Sequence, residues 1–170
     1  LKELKYIQQD PASLEYRPSL KLHELGSNTA KVYPINSVAA PYLLELYQAT
    51  NETINLGIFE NGQIVYTNKI LTRHHLRADF EIGRIFPVAC SAIGKCIAAF
   101  NDIRLFGRID FPKYTDKSID NMADLSRELE LVRKNGYAVD NEEFVPGLVC
   151  IGMPVMNKSG EAVAAIGISY

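Results

Sequence analysis

A thiol beside an imidazole is a simple way for a chain to build a nucleophile, and this sequence offers Cys150, within "GLVCIGM", and the adjacent pair His74 and His75. Neighbouring side chains on an extended segment point to opposite faces, so the two histidines do not share one pocket. Cys150 stands between Val149 and Ile151 in an apolar run, the usual setting of a buried, inert thiol. A second candidate is "CSAIGKC", residues 90–96, whose Gly-Lys pair resembles a phosphate-binding loop. That loop requires G-x-x-x-x-G-K-[ST], but Ala89 replaces its first glycine and Cys96 its hydroxyl residue, so nucleotide binding is discarded. What remains is a helix start. Ser91 caps it, and the N–H groups of Ala92, Ile93 and Gly94 either meet a small anion or simply end a helix that Gly94 lets pack closely. A third cluster, Asp140-Asn141-Glu142-Glu143, has carboxylates for acid–base work, but the alternation of a strand disfavours a dyad, and taken alone it reads as a solvated turn. Cys90 and Cys96 are six residues apart, Cys150 stands alone, and no His-x-x-His occurs, so no metal site and no cofactor are expected.

These residues must be positioned by a chain of 170 residues, 47% hydrophobic, enough for one substantial core plus a fragment. Lys and Arg number 18 against 20 Asp and Glu, so the chain lacks a broad nucleic-acid-binding charge and any DNA contact is local or outside it. The longest apolar run, Ala162 to Ile168, is too short to span a membrane, and residues 1–15 lack the pattern of a secretory signal. Three cysteines, an odd number, argue against a disulfide framework and fit a reducing cytosol, so a cytoplasmic location is expected.

The patterning sets out the elements. Leu1 and Leu4 begin in helical spacing, and Asp10-Pro11 turns the chain between strand-like pieces Tyr6–Gln9 and Leu14–Arg17. Ser19 caps a connector helix through Leu20, Leu22 and Leu25, with Gly26 a weak point or end. Ser37 is read as the cap of a helix over 38–50, with Pro41 in its first turn. Thr53–Glu60 and Gln63–Ile70 form a hairpin across Asn61-Gly62, and Leu148–Val155 and Ala162–Ser169 form a second across 157–160. Helices are expected over Ser91–Phe100 and about Asp120–Asn135, the latter stopped by Gly136, and a strand over Tyr137–Asp140. Strands, helices and strands again predict an α/β (α+β) domain with a largely antiparallel sheet.

Three segments, in order, resemble the IclR family of bacterial transcription regulators, and the match runs the length of the chain. "LKELKYIQQDPASLEYRPSLKLHELG" is similar to the end of that family's winged helix-turn-helix and its linker. "IGRIFPVACSAIGKCIAAF" is similar to its Gly, Pro, Ser-x-x-Gly-Lys and Ala-rich helix, and "NGYAVDNEEFVPGLVCIGMPVMNKSGEAVAAIGIS" to its long signature. The resemblance implies residues 1–18 as the remnant of the winged domain, 19–35 as a linker helix, and 36–170 as an effector-binding domain truncated at its C-terminus. It implies a curved, mainly antiparallel sheet flanked by helices, related to GAF and profilin-like folds.

The same resemblance implies a small organic acid as effector. Its carboxylate would meet the backbone amides of Ala92 and Ile93, and Asp140, Leu148, Cys150 and Ser169 would line the site, with His75 and Ala78 as wall residues. Where some relatives carry a serine, this chain has Gly167, which removes one hydroxyl and favours a bulkier or differently substituted ligand. Promoter DNA would be bound through an N-terminal domain mostly absent here, leaving Lys2, Lys5 and Arg17 to touch phosphates without reading sequence. Homodimers or homotetramers and no membrane partner are implied. Two other readings stay open at this point: a small hydrolase or redox enzyme using Cys150 with His75, and a GAF-like module that only mediates dimerisation.

Overall fold

Asn61 and Gly62 adopt φ values of 50° and 81°, the paired left-handed conformation of a tight hairpin turn, and so join strands β3 (Thr53–Glu60) and β4 (Gln63–Ile70). The computed structural model describes the backbone throughout and the side chains of residues 1–26 and 33–170. It divides into two units, Leu1–Val38 and Ala39–Tyr170.

In the first unit, strands β1 (Ile7–Gln9) and β2 (Tyr16–Pro18) pair antiparallel across the Asp10 turn, whose carboxylate accepts from Ala12 and Ser13 N–H. Residues 2–5 form turns rather than the expected start in helix. Ser19 caps α1 (Leu20–Val32) by accepting from Lys21 N–H at 3.2 Å, and the helix continues through Gly26.

Helix α2 (Pro34–Thr50) begins before Ser37, the expected cap. Tyr33 is extended, as a residue before proline tends to be, and Pro34 at the first helical position loses no bond that a helix start would make. Pro41 therefore lies inside the helix, not in its first turn, and deprives the carbonyl of Ser37 of a donor.

The second unit is built on six strands in the order β5-β4-β3-β8-β7-β6, every pair antiparallel. Here β5 is Ile85–Phe86, β6 Ala138–Asn141, β7 Val149–Met156 and β8 Ala162–Ser169. The central hairpin has its expected bounds and the second hairpin is within a residue of them, but β5 and a 3-10 turn at Ile103–Phe106 were not expected from the sequence. Two residues are too few to show a period. Helices α3 (Ala92–Ala99) and α4 (Met122–Asn135) follow the expected apolar spacing, and Gly136 ends α4 at φ 79°. The core joins α3 to the sheet and to Leu125, Leu129 and Val132 of α4.

Three glycines let α3 lie against the sheet. A Cβ on Gly57 of β3 would meet Ile93 Cγ2 at 2.6 Å, one on Gly167 of β8 would meet Ile93 Cδ1 at 3.1 Å, and one on Gly152 of β7 would meet the Ala92 backbone at 2.9 Å. The first turn of the helix is thereby pressed onto the middle of three adjacent strands.

Candidate functional site

Register places the polar residues in one row. Thr53 pairs with Ser169, Ser169 with Cys150, and Cys150 with Asp140, so four neighbouring strands present these side chains on one face. The row behind it holds Asn55, Gly167 and Gly152, the last two carrying the start of α3. Ser169 and Cys150 are two residues beyond those glycines, about 7 Å along the strands, which sets the polar row beside the first turn of the helix.

At that turn Ser91 Oγ accepts from Gly94 N–H at 3.1 Å and donates to Pro87 O at 2.7 Å. The first-turn amides of Ala92 and Ile93 have no acceptor within the helix, and the positive end of the helix dipole lies behind them. Both residues are buried.

Cys150 Sγ donates to Ser169 Oγ at 3.3 Å, and Asn55 Nδ2 donates to the same oxygen at 3.3 Å. Burial pushes the Cys150 thiol up to about 12, against the opposing effect of its bond to Ser169. The thiol stays protonated at neutral pH. His75 is exposed, and the ring of His74 meets Asn51 and Glu52 rather than a thiol. The nucleophile arrangement is thus not assembled.

Asp140 and Glu143 are 3% and 9% exposed, which corrects the reading of 140–143 as a solvated turn. Asn141 is exposed, as strand alternation requires. Burial raises both carboxyls above their ordinary range, and the Lys95 ammonium partly offsets that. Lys95, fully buried, pairs with Glu143 at 2.7 and 3.0 Å and with Glu128 of α4 at 3.2 Å, and also donates to Val139 O. Glu143 N–H donates to Asp140 Oδ1 at 2.8 Å, so the ion pair holds the backbone that orients Asp140. Sequence reasoning gave no role to Lys95, Glu143 or Asn55. For Lys95 and Asn55 a signal was present: each is a polar residue inside an apolar run, and such a residue is buried only with a partner, whereas Glu143 is hidden in a run of polar residues.

A cavity of about 540 Å³ opens at this end of the sheet. Ser169, Leu148 and Ala78 are in its wall, with Thr72, His74 and Arg77 on one side and Val145 to Gly147 on the other. Ala92, Ile93, Asp140, Cys150 and His75 are not in that wall. Cys150 is one hydrogen bond from Ser169 and Asp140 one strand further, whereas His75 is brought to neither. The nearby Arg84 guanidinium lies 5.1–5.5 Å from the rings of Phe80, Phe86 and Phe144, a cation held over an aromatic cluster. Among the described residues no His, Cys, Asp and Glu cluster suits a metal ion, and no helix is long and apolar enough to cross a membrane.

A six-stranded antiparallel sheet with a cavity at one end and a polar row beside the start of α3 is an architecture that known proteins share. The chain belongs to the IclR family: residues 27–170 match the bacterial transcriptional regulator IclR C-terminal domain. It is 36% identical to the HTH-type transcriptional regulator KdgR of Dickeya chrysanthemi over 100% of its own length and 57% of that protein's. The crystal structure of Thermotoga maritima IclR superposes with a TM-score of 0.81 at 31% identity, covering 99% of this chain and 70% of that one. The inducer-binding domain of Acinetobacter PobR, a double mutant solved with 3-hydroxybenzoic acid, shares the fold at a TM-score of 0.68 and 22% identity, over 79% of this chain and 81% of that one. The chain spans somewhat over half the length of the Dickeya regulator, and these relatives are transcriptional regulators, not enzymes.

Proposed function

We propose that residues 36–170 bind a small hydroxylated monocarboxylic acid and that, in a longer protein with a DNA-binding domain, this binding controls attachment to promoter DNA. The observation that carries the reading is the polar row Ser169, Cys150 and Asp140 beside the first turn of α3, with Ser169 and Leu148 in a cavity wall. The carboxylate meets the amides of Ala92 and Ile93, where partial positive charge favours an anion. Ala78 closes one side of the ligand, and His75 stays outside it. Asp140, as an acceptor, favours a ligand that donates a hydrogen bond, and its charge disfavours a second carboxylate close by. The acid bound by the PobR domain, a hydroxylated monocarboxylate, belongs to the same chemical class.

A thermal-shift screen of organic acids tests this. An acid at about 100 times its dissociation constant stabilises the domain by about 2.7 kcal/mol, and Asp140→Ala is expected to remove the shift for hydroxy acids. If no acid raises the melting temperature, the reading fails.

Residues 1–18, a two-stranded ribbon, carry the reading of a wing without base-contacting residues, so the 170-residue chain is expected to bind DNA poorly, and tight sequence-specific binding in a mobility-shift assay would overturn that. The exposed Leu20, Leu22 and Leu25 of the linker helix support self-association as a homodimer or homotetramer, which light scattering checks.

A further inference from the structure

Asn55 lies in the middle of β3, in a strand otherwise mostly apolar, and is 1% exposed. Its Nδ2 donates to Ser169 Oγ, while its Oδ1 has no hydrogen-bond partner; among the described residues it is the buried side-chain oxygen or nitrogen left in that state. A buried acceptor without a donor is a standing cost, and native domains keep few of them. Reversing the amide does not remove the problem, because both N–H bonds would then lose the Ser169 acceptor.

The oxygen is enclosed, yet no neighbouring side chain donates to it. Gly167, directly opposite on β8, has no side chain to donate to it, and the Ile93 side chain that packs over Gly167 is apolar. Lys69, opposite on β4, gives its ammonium to Asp79 and to Phe80 O. Ser169 Oγ already accepts from Cys150 and Asn55, so its own proton is free to be donated, and Ser169 is in the cavity wall.

Donor and acceptor thus stand side by side behind the cavity. A single hydroxyl placed there accepts from Ser169 and donates to Asn55 Oδ1. A keto oxygen accepts from Ser169 but leaves Asn55 unmet, and a carboxylate oxygen is repelled by the amide oxygen. We propose that Asn55 is a ligand-binding residue that makes this domain select a hydroxy acid over the corresponding oxo acid. The proposal rests on the reading of the cavity as an acid site. Because Oδ1 is sealed in the free domain, the hydroxyl reaches it as the Ser169 side chain turns to meet the ligand.

The test is calorimetric titration of the 170-residue chain with matched hydroxy and oxo acids: lactate against pyruvate, 2-hydroxybutyrate against 2-oxobutyrate, and 3-hydroxybutyrate against acetoacetate. The parent is expected to prefer the hydroxylated member of at least one pair by about tenfold or more, as a site built to bond a hydroxyl rejects the analogue without one. Asn55→Leu, close in shape, is expected to bring that ratio to near one, and to melt no lower than the parent in the absence of acid because an unmet acceptor has gone. Asn55→Ala supplies the same measurement should leucine fail to fit. A variant that keeps the preference overturns the role of Asn55 and leaves the acid site standing. Variants that both melt below the parent without acid mark Asn55 as structural and also overturn it. A parent that binds none of the acids overturns the acid site and this inference together.

Discussion

Lys95 Nζ lies 2.7 Å from Glu143 Oε1 with the lysine wholly excluded from solvent, so one turn of α3 is tied by charge to the segment that follows β6. Glu143 in turn gives its N–H to Asp140, which makes the ion pair part of the support of the polar row. Removing one partner leaves an uncompensated buried charge. Lys95→Met is therefore expected to cost about 3–5 kcal/mol in urea denaturation. Lys95→Met with Glu143→Leu should recover much of that, since replacing both charges removes the penalty of either.

Asp140 carries a signature in pH. Its folded carboxyl is raised by burial, so it holds its proton more firmly than in the unfolded chain, and its contribution to stability is complete in acid and lost as pH rises from about 4 through the raised value. Asp140→Asn keeps an acceptor for Glu143 N–H and removes the ionisation. The variant should melt higher than the parent at pH 7, with the difference vanishing below about pH 4; a difference independent of pH would show that another interaction dominates.

Cys150 should be chemically quiet. With its thiol pushed up to about 12, roughly one molecule in 10⁴ carries the thiolate at pH 8. Mass spectrometry after iodoacetamide treatment of the folded protein is expected to find Cys150 and the equally raised Cys96 unmodified, and both modified once the chain is unfolded.

Gly152 tests the seating of the helix. An added Cβ would sit 2.9 Å from the Ala92 carbonyl carbon and 3.0 Å from its oxygen, and backbone does not move aside as a side-chain tip does. Gly152→Ala should destabilise the domain by about 1–3 kcal/mol in thermal unfolding, and lower the affinity for any acid more than Gly26→Ala, where an added Cβ meets nothing within 4 Å.

Much of the fold was legible because it rests on local rules. The Asn61-Gly62 turn needs positive φ at two positions, and alternating apolar residues on either side specify the strands it joins. Ser91 and Gly136 mark their helix ends by capping chemistry alone. Ser37 misled because a good cap residue does not by itself start a helix when Pro34 offers a preset φ three residues earlier.

The chain's own order of residues thus determined the hairpins, helices α3 and α4 and the family, because turns, caps and periodicity act over a few neighbours and motifs are read along the chain. Register between distant strands decided the rest. That Thr53, Ser169, Cys150 and Asp140 share one row depends on pairings between residues up to 116 positions apart. That Lys95 is buried, Glu143 is not solvated and Asn55 lacks a donor depends on the dielectric and neighbours each meets after packing. Burial and partnership are properties of three-dimensional surroundings, and no spacing along the chain encodes them.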